Sequence, residues 1–465
     1  MNSKPAVYSR VVIAGERSGC GKTTVSLAIM NALSRKGVRV QGFKTGPDYL
    51  DTSHYEARTG TKGRNIDLWM TSPRHCLEIF LRNAADAQIS VIEGVMGLYD
   101  GSRPDNKAST AHTAKFLSAP VILILTCDGG AQTTAATALG LKMFDEEVNI
   151  AGFVLNGATS KESAEVIASV VTGKTAIPYL GFMPLDDRIA LTSRHLGLSH
   201  AFEEPPHADK LSSEVEIASK SLDLERIEKI AISAPPLFPP DCGDPLYPFV
   251  PEPQSVRLAV ARDKAFSFYY EDALEILSLC GCEIAPFSPL SEERLPAGAD
   301  AVFIGGGFPE LYCGELEGNV PMRDDLRNFA FGGGTVYAEC GGMMYLGAGL
   351  TDLNGRRFDM CGALEADFEM RPRLQAIGYR EVIAATDAGF FRVGDREKGH
   401  EFHYSTLSDG HAGDFFNITT SAGGASRGGM AFRNTVASYI HLNFLSSGII
   451  KRIPARLKAV AEDGI

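Results

Sequence analysis

Residues 11–24 read VVIAGERSGCGKTT. An apolar run leads into a glycine-rich turn that ends in GKT and opens a stretch compatible with a helix. In such a phosphate-binding loop the backbone N–H groups cradle phosphates, the lysine reaches the terminal phosphates, and the following hydroxyl can ligate Mg²⁺. Five residues rather than four separate Gly15 from Gly21, so the spacing departs from the standard motif. The predicted ATP-binding residues of this stretch are Gly19, Gly21, Lys22, Thr23 and Thr24.

Outward from this loop, β-rich runs alternate with helix-compatible stretches, which is the pattern of βαβ units around a parallel sheet. Eight of the 24 prolines fall between Pro235 and Pro253, a density incompatible with a helix or an interior strand. The alternation then restarts. The sequence predicts an α/β chain with a P-loop parallel-sheet domain at 1–232, a Pro-rich linker at 233–255 and a second α/β domain at 256–465.

The composition limits the function. The 465 residues are 44% hydrophobic and 22% charged, as is usual for a globular protein. The net charge of −12 argues against a broad nucleic-acid surface, which requires a basic face. The longest apolar run, at 119–125, is far shorter than the roughly 20 residues of a membrane-spanning helix. Nine scattered cysteines favour a reducing compartment. We expect a cytoplasmic protein without nucleic-acid or membrane partners.

Two further strand ends carry polar side chains. Glu93 ends the apolar run of ISVIEGVMGLYDG, where the carboxyl ends of parallel strands line a ligand crevice. Its carboxylate can hold Mg²⁺ directly or through water, together with Thr23, or it can be a solvated strand end. Asp100, in the same turn, is a weaker candidate for substrate or phosphate. Asn156, at the end of IAGFVLNG, reads a purine edge or caps a turn.

A third group of charges, Lys44, Asp48 and Asp51, surrounds the Gly-Pro turn of FKTGPDYLDTSHYEARTG. These side chains could orient a substrate carboxylate and a metal next to the γ-phosphate. They could equally form a capped surface turn. The residues alone do not separate the two interpretations.

The second half of the chain offers a nucleophile. In GTVYAECGGMMYLG, Cys340 lies between an apolar strand and a Gly-Gly turn into a helix, the arrangement of a nucleophile elbow. A thiol at this position is expected to be exposed and to feel the positive helix N-terminus, which favours the thiolate. His441, in NTVASYIHLNF, is the predicted base. The alternative is a buried structural cysteine.

Two other motifs lie in this half. The turn GGGFPELY follows the strand DAVFI, and the N–H groups of Gly306 and Gly307 are candidates for an oxyanion hole. In GHEFHYS only two residues separate His400 from His403, so the motif is not HExxH and predicts no zinc site. We expect these histidines to form hydrogen bonds or to line the substrate.

Taken together, these residues resemble the cobyrinic acid a,c-diamide synthase family, and the resemblance covers about Val11 to Phe444. The motifs that carry it, in chain order, are SGCGKTT, FKTGPDYLDTSHYEARTG, RNIDLWM, VIEGVMGLYDG, RHLGL, FSFYYEDALEIL, GGGFPELY, YAECGGMMYLG, GHEFHYS and SYIHLNF. The resemblance implies a dethiobiotin-synthetase-like ATPase domain, whose long P-loop accounts for the unusual glycine spacing. A class I glutamine amidotransferase domain follows it.

The resemblance also implies a reaction. Cys340 would attack the side-chain amide of glutamine and release ammonia, with His441 activating the thiol and then water. ATP, with Mg²⁺ at Thr23 and Glu93, would phosphorylate a peripheral carboxylate of a tetrapyrrole, and ammonia would displace the phosphate. The segment expected to face the substrate comprises Asp48, Tyr49 and Leu50. The resemblance alone suggests a homodimer.

Two positions depart from the family pattern. Class I amidotransferases usually carry His-x-Glu, but the chain has Asn443 where the glutamate would be. The third member of the catalytic set is therefore unassigned, and we expect a slow or tightly coupled glutaminase rather than an inactive one. Arg17 stands where regulatory P-loop ATPases carry a second lysine, and the sequence gives it no role.

Three alternatives remain at the level of sequence. The same chemistry could act on Ni-sirohydrochlorin in coenzyme F430 biosynthesis, instead of or as well as on cobyrinate. A nucleotide-switch ATPase could carry an idle amidotransferase-like domain as a binding module. Cobyric acid synthase shares the architecture but usually lacks the GPDYLD and LYDG motifs found in this chain.

Overall fold

The computed structural model describes residues 7–102, 106–190, 193–194, 197–198, 201, 207–238, 244–408 and 413–463. Residues 195–196 of the RHLGL motif and 239–243 of the predicted linker lie outside these ranges. The chain divides into two compact units, one formed by Met1–Trp69 and Pro73–Gly243 and the other by Met70–Ser72 and Asp244–Ile465. Within the described residues, no helix is long and apolar enough to cross a membrane.

The first unit alternates strands and helices. Its strands are β1 (Arg10–Gly15), β2 (Val40–Thr45), β3 (Arg64–Ile66), β4 (Ile89–Glu93), β5 (Val121–Thr126), β6 (Ile150–Ala158), β7 (Tyr179–Pro184), β8 (Ser193–Arg194) and β9 (Gly197–Leu198). Its helices are α1 (Lys22–Arg35), α2 (Leu50–Thr59), α3 (Pro73–Ala84), α4 (Thr110–Phe116), α5 (Ala131–Phe144), α6 (Lys161–Thr175), α7 (Ala208–Ser221) and α8 (Leu224–Ile232).

Seven of these strands form one parallel sheet in the order β3-β2-β4-β1-β5-β6-β7. The central strands β1, β4 and β5 are buried along nearly their whole length, as expected when helices cover both faces of a parallel sheet. In the register of this sheet, Glu93 on β4 lies opposite Ile13 on β1 and opposite Lys44 on β2. The pairing therefore brings two predicted site residues to the end of β1, where the glycine-rich turn begins.

A buried arginine stabilises the start of this sheet. Arg10, the first residue of β1, is 0% exposed, so its guanidinium must find acceptors inside the protein. It donates to the carbonyl oxygens of Leu117 (2.6 Å), Ser118 (3.3 Å) and Pro235 (2.7 Å). The first proline of the predicted linker is therefore fixed to the first strand of the sheet.

The second unit contains more strand than helix. Its strands are β10 (Val256–Ala261), β11 (Phe266–Phe268), β12 (Cys282–Phe287), β13 (Ala301–Ile304), β14 (Gly306–Gly307), β15 (Thr335–Glu339), β16 (Gly349–Thr351), β17 (Arg357–Asp359), β18 (Asp367–Met370), β19 (Ala376–Ala384), β20 (Arg396–His403), β21 (Ser405–Leu407), β22 (Phe416–Thr420), β23 (Ala425–Gly428), β24 (Met430–Phe432), β25 (Thr435–Ser438) and β26 (His441–Leu442). Its helices are α9 (Glu271–Leu279), α10 (Cys313–Gly318), α11 (Val320–Phe331), α12 (Gly341–Leu346) and α13 (Ile453–Asp463).

The main sheet of this unit runs β12-β10-β13-β15-β25-β24 and is parallel except at its β24 edge. A five-stranded antiparallel sheet, β23-β22-β19-β20-β26, places His441 opposite His400. A four-stranded sheet, β17-β16-β18-β21, and the β11-β14 pair complete the unit. The α/β fold class predicted from sequence is confirmed, but the antiparallel sheets were not part of that prediction.

Candidate active sites

The glycine-rich turn after β1 has the backbone that a phosphate loop requires. Gly19 and Gly21 have φ of 74° and 93°, which side-chain-bearing residues rarely adopt, and α1 begins at Lys22. The Lys22 ammonium donates to the carbonyl oxygens of Arg17 (3.2 Å) and Met96 (2.5 Å), and burial lowers its pKa. The lysine is thus held beside the loop from which it is predicted to reach phosphates.

The Glu93 carboxylate is the centre of a buried polar cluster. Three side chains bond to it directly, those of Thr23, Lys44 and Tyr55, and Asp51 joins the cluster by pairing with Lys44. One oxygen of Glu93 accepts from the Thr23 hydroxyl (2.6 Å) and from the Lys44 ammonium (2.8 Å). The other accepts from the Tyr55 hydroxyl (2.9 Å). Lys44 also pairs with Asp51. Glu93 is 0% exposed, so the solvated strand end considered from sequence is wrong.

The protonation states in this cluster are strongly shifted. Burial raises the pKa of Glu93 to about 7, against the opposing attraction of Lys44. For Lys44, burial favours the neutral amine, but the adjacent Asp51 and Glu93 outweigh it and raise its pKa. Lys44 therefore stays charged inside the protein, where its ammonium is paired with the carboxylates of Asp51 and Glu93.

At the Gly-Pro turn, the structure confirms a cap but not the surface location of the charges; the role in orienting a substrate stays a prediction. The Asp48 carboxylate accepts from the backbone N–H groups of Leu50 and Asp51, each at 2.9 Å, and so caps the start of α2. Lys44 and Asp51 are buried, however, so the charges do not form a surface turn. The Leu50 side chain is also buried, at 5% exposure. Asp48 and Tyr49 are the partly exposed residues of the predicted substrate segment.

Three other predicted positions lie around the loop. The Asn156 amide donates to the Cys20 carbonyl (3.0 Å), which braces the loop; its reading of a purine stays a prediction. Asp100 is exposed and accepts from the Gly97 N–H (3.1 Å) within its own turn. Arg17, which the sequence left without a role, pairs with Asp128 after β5 at 2.7 Å.

In the second unit, Cys340 lies at the sharp turn between β15 and α12. Its φ of 46° and ψ of −104° are strained for a residue with a side chain, as in a nucleophile elbow. Its N–H donates to the Ser438 carbonyl (2.7 Å) on the neighbouring chain segment. The expectation of an exposed thiol is wrong, since Cys340 is only 7% exposed and packs within the hydrophobic core of this unit.

His441, on β26, faces this cysteine. Burial alone would lower its pKa, but interactions with Cys340 and Glu339 outweigh burial and raise the pKa of His441 to about 10. Gly306, a predicted oxyanion residue, lies against the imidazole so closely that a Cβ there would overlap Cε1. Gly307 pairs with Phe266 across the β11-β14 ribbon. The structure therefore brings Cys340, His441 and Gly306 together.

Glu339 is the residue at this site that sequence reasoning missed. It ends β15 immediately before Cys340, is 3% exposed, and brings Oε2 to 3.7 Å from His441 Nδ1. A carboxylate at the end of an otherwise apolar strand was the available signal, the same signal that identified Glu93. The usual His-x-Glu pattern points instead to position 443, where this chain has Asn.

Asn443 has other partners. Its side-chain oxygen accepts from the Thr71 hydroxyl (2.9 Å) and from the Leu445 N–H (3.2 Å), all within the second unit. It therefore anchors a neighbouring chain segment.

The two histidines of GHEFHYS have different surroundings. His403 bonds to Glu401 (3.0 Å) and to the Ser405 carbonyl (2.8 Å), and stacks on Tyr439 with ring centroids 3.7 Å apart. His400 is kept neutral because burial, followed by the nearby His441, lowers its pKa to about 3. Among the residues that the structure describes, no three His, Cys, Asp or Glu side chains are grouped to hold a metal ion.

Comparison with known proteins assigns a family to each half of the chain. A family described as the CobQ/CobB/MinD/ParA nucleotide binding domain matches residues 11–198, and a family described as the CobB/CobQ-like glutamine amidotransferase domain matches residues 257–449. A nucleotide-binding domain followed by a glutamine amidotransferase domain defines the class of glutamine-dependent, amide-forming ligases.

Relatives along nearly the whole chain define the family more narrowly. Proteins named cobyrinate a,c-diamide synthase are 37% identical in Caldanaerobacter subterraneus subsp. tengcongensis (93% of this chain, 94% of the relative) and 38% identical in Picrophilus torridus (96% and 97%). The relative of that name in Archaeoglobus fulgidus is 38% identical, covering 97% of this chain and 98% of its own. The chain belongs to the cobyrinate a,c-diamide synthase family.

Proposed function

We propose that this chain uses ATP and glutamine to convert the a and c side-chain carboxylates of cobyrinate into amides. The observation that carries the proposal is the presence, in one chain, of a phosphate loop beside a buried Lys44–Glu93 pair and of a strained cysteine beside a histidine. The name shared by its relatives supplies the macrocycle and the two positions.

The first unit is proposed to activate the carboxylate. The substrate carboxylate attacks the γ-phosphorus of ATP, which forms an acyl phosphate and releases ADP; ammonia then attacks the acyl carbon and displaces phosphate, leaving the amide. Lys22 and the loop N–H groups stabilise charge on the transferring phosphoryl group. Lys44, which is paired with Glu93 beside the loop, is proposed to interact with substrate or phosphate, and Asp48 and Tyr49 are proposed to face the substrate.

The residues around Glu93 fit a magnesium ion. A hydroxyl oxygen of Thr23 and a carboxylate oxygen of Glu93 lie 2.6 Å apart beside the phosphate loop, and both are oxygen ligands of the kind that Mg²⁺ prefers. Thr23 and Glu93 would hold the ion together with phosphate oxygens. The bound ion would neutralise phosphate charge.

The second unit is proposed to release ammonia from glutamine. The Cys340 sulfur attacks the side-chain amide carbon, His441 protonates the leaving nitrogen, and a glutamyl thioester and ammonia result. Water activated by His441 then cleaves the thioester, giving glutamate and the free thiol. Each amide formed consumes one ATP, one glutamine and one water.

The direct test is a turnover assay with cobyrinate, ATP, Mg²⁺ and either glutamine or ammonia, in which mass spectrometry measures the mass of the product. We expect a product with two amide groups, formed with either glutamine or ammonia. Cys340→Ser should abolish the glutamine-dependent reaction and leave the ammonia-dependent reaction intact. Cys313→Ser, which alters another buried cysteine of the same unit, is the matched control and should retain both. Failure to amidate cobyrinate with either nitrogen source would contradict the proposal.

The same assay addresses the alternatives. Amidation of Ni-sirohydrochlorin in place of cobyrinate would establish the nickel macrocycle as the substrate, although the names of the relatives do not favour it. A nucleotide switch with an idle second unit would show no glutamine consumption and no effect of Cys340→Ser. A homodimer stays a prediction, tested by the mass of the chain in solution.

A further inference from the structure

The histidine of the glutaminase site needs a group that fixes its ring. In Cys–His sites the imidazole exchanges protons with the thiol through one nitrogen, and an acceptor at the other nitrogen sets the tautomer and the orientation. Class I amidotransferases usually place that acceptor two residues after the histidine. In this chain the residue there is Asn443, whose side-chain oxygen accepts from Thr71 and Leu445.

We infer that Glu339 is the positioning residue for His441, which it orients through Nδ1 from the strand that carries the nucleophile. The inference rests on the roles proposed above for Cys340 and His441. Glu339 Oε2 lies 3.7 Å from Nδ1, and both side chains are almost fully buried, at 4% and 3% exposure. Such contacts are often long before substrate binds and shorten in the reacting complex.

The carboxylate itself is held in place. Its other oxygen, Oε1, accepts from the Tyr337 hydroxyl and from the Leu442 N–H, both at 2.8 Å. Leu442 is the residue after His441. One carboxylate therefore contacts both the backbone next to the histidine, through Oε1, and the histidine ring, through Oε2. Two hydrogen bonds to Oε1 direct Oε2 toward the imidazole, as a preorganised supporting residue requires.

Among the described residues, Cys340 and His400 are two other titratable groups near the ring, and neither takes this role. Cys340 is the reaction partner of the imidazole, and His400, opposite His441 on β20, is kept neutral by burial. A carboxylate at Nδ1 keeps a proton there, which leaves Nε2 as the basic nitrogen. It also stabilises the imidazolium formed when the thiol is deprotonated.

The test compares Glu339→Gln with Glu397→Gln. Both replace a buried carboxylate of the second unit by an amide of the same shape, but the Glu397 carboxylate bonds to Ser446 and Ser447. Glu339→Gln should lower the glutamine-dependent kcat by about 10²-fold, with little change in KM, because an orienting group acts on proton transfer. Its alkaline limit of activity should move to lower pH, since the imidazolium loses its stabilising charge. Glu397→Gln should keep the wild-type kcat and pH profile.

Glu339→Asp serves as the conservative variant, because it restores the charge with a shorter reach. It should recover a substantial part of the lost kcat and the wild-type alkaline limit. A Glu339→Gln chain with wild-type kcat and pH profile would overturn the inference. So would a loss that Glu339→Asp does not reduce, or an equal loss of ammonia-dependent amidation, because either would indicate a structural role.

A second measurement does not depend on how the Glu339 variants fold. In the Cys340→Ala chain, at a pH where the imidazole is neutral, ¹⁵N chemical shifts of the His441 ring should report the tautomer protonated at Nδ1. The tautomer protonated at Nε2 would refute the inference. If Cys340→Ser leaves glutamine-dependent activity unchanged, the proposed roles of Cys340 and His441 fail, and that outcome is separate from any effect at Glu339.

Discussion

The turn after β1 and the turn after β15 both connect a buried parallel strand to a helix, but they place positive φ on different kinds of residue. In the first turn it falls on Gly19 and Gly21, so that backbone N–H groups can surround a phosphate without a side chain in the way. In the second it falls on Cys340, whose side chain is the proposed nucleophile. Anion binding favours glycine at the strained position, whereas a nucleophile requires the strain to be borne by a reactive residue.

The two sites also differ in how they treat buried charge. Around Glu93, the Lys44 ammonium is paired with the carboxylates of Glu93 and Asp51. Around Cys340, the imidazole of His441 interacts with the thiol and with the Glu339 carboxylate. The first arrangement pairs buried charges with one another, whereas the second places a base beside a thiol, which suits proton transfer.

Of the substitutions that distinguish the two sites, Lys22→Ala is expected to lower the rate of amide formation most. Loss of a positive charge at the transferring phosphoryl group should reduce amide formation by about 10²- to 10³-fold. The reduction should be equal with glutamine and with ammonia, because both reactions need the acyl phosphate. Lys36→Ala, which removes a partly exposed lysine at the other end of α1, is the control and should change neither rate. If only the glutamine-dependent rate fell, the proposed role of the first unit in activating the carboxylate would be contradicted.

Gly306→Ala should act on the other site alone. A Cβ at this position overlaps the His441 ring, so the imidazole must shift away from Cys340. A displacement of about 1 Å can cost on the order of 10²-fold in rate, so glutamine-dependent amidation should fall by about that factor while ammonia-dependent amidation is retained. Gly314→Ala, where the added methyl group meets open space, is the control. Equal loss with both nitrogen sources would indicate general misfolding.

The raised pKa of Glu397 can be tested through the pH dependence of the stability of the second unit. Burial raises its pKa from 4.5 to about 7, so the folded state binds a proton that the unfolded state has already released at intermediate pH. Its contribution to stability is present below pH 4.5 and is lost as the pH rises to 7, a change of about 3 kcal/mol. Urea unfolding at a series of pH values should show that the free energy of unfolding falls more between pH 4.5 and 7 in the wild type than in Glu397→Gln. Identical pH dependence in the two chains would rule out the shift.

The smallest expected effect concerns the strain at Cys340. Glycine tolerates positive φ and alanine does not, so Cys340→Gly should be more stable than Cys340→Ala by about 1 kcal/mol. At Cys76, inside helix α3, the order should reverse by about 1 kcal/mol, because glycine weakens a helix. Thermal unfolding of the four variants measures both differences. A Cys340→Ala chain as stable as the glycine variant would mean that the turn is not strained.

Local sequence signals predicted much of this molecule. The order strand, glycine turn and helix at 10–35 follows from apolar runs and from glycines that only a tight turn needs, and Glu93 was found because it ends a strand. The antiparallel strands were not predictable in the same way. Segments such as β23, with sequence ASRG, carry neither alternation nor β-branched residues, so only pairing with their neighbours defines them.

The contacts missed at the sites are those between distant residues. Glu339 and His441 are separated by about a hundred residues, and their approach depends on β15 lying beside β25 and on the turn that follows it. Burial of Cys340 likewise depends on how other segments cover the elbow, which the motif does not encode. Motifs identify which residues react, and tertiary packing decides which residues support them.

Arg10 connects the start of the predicted linker to the strand that leads into the phosphate loop. Its guanidinium ties the Pro235 carbonyl to the start of β1, the strand that ends in the phosphate loop. One end of this six-residue strand therefore leads into the phosphate loop, and the other end holds the start of the predicted linker.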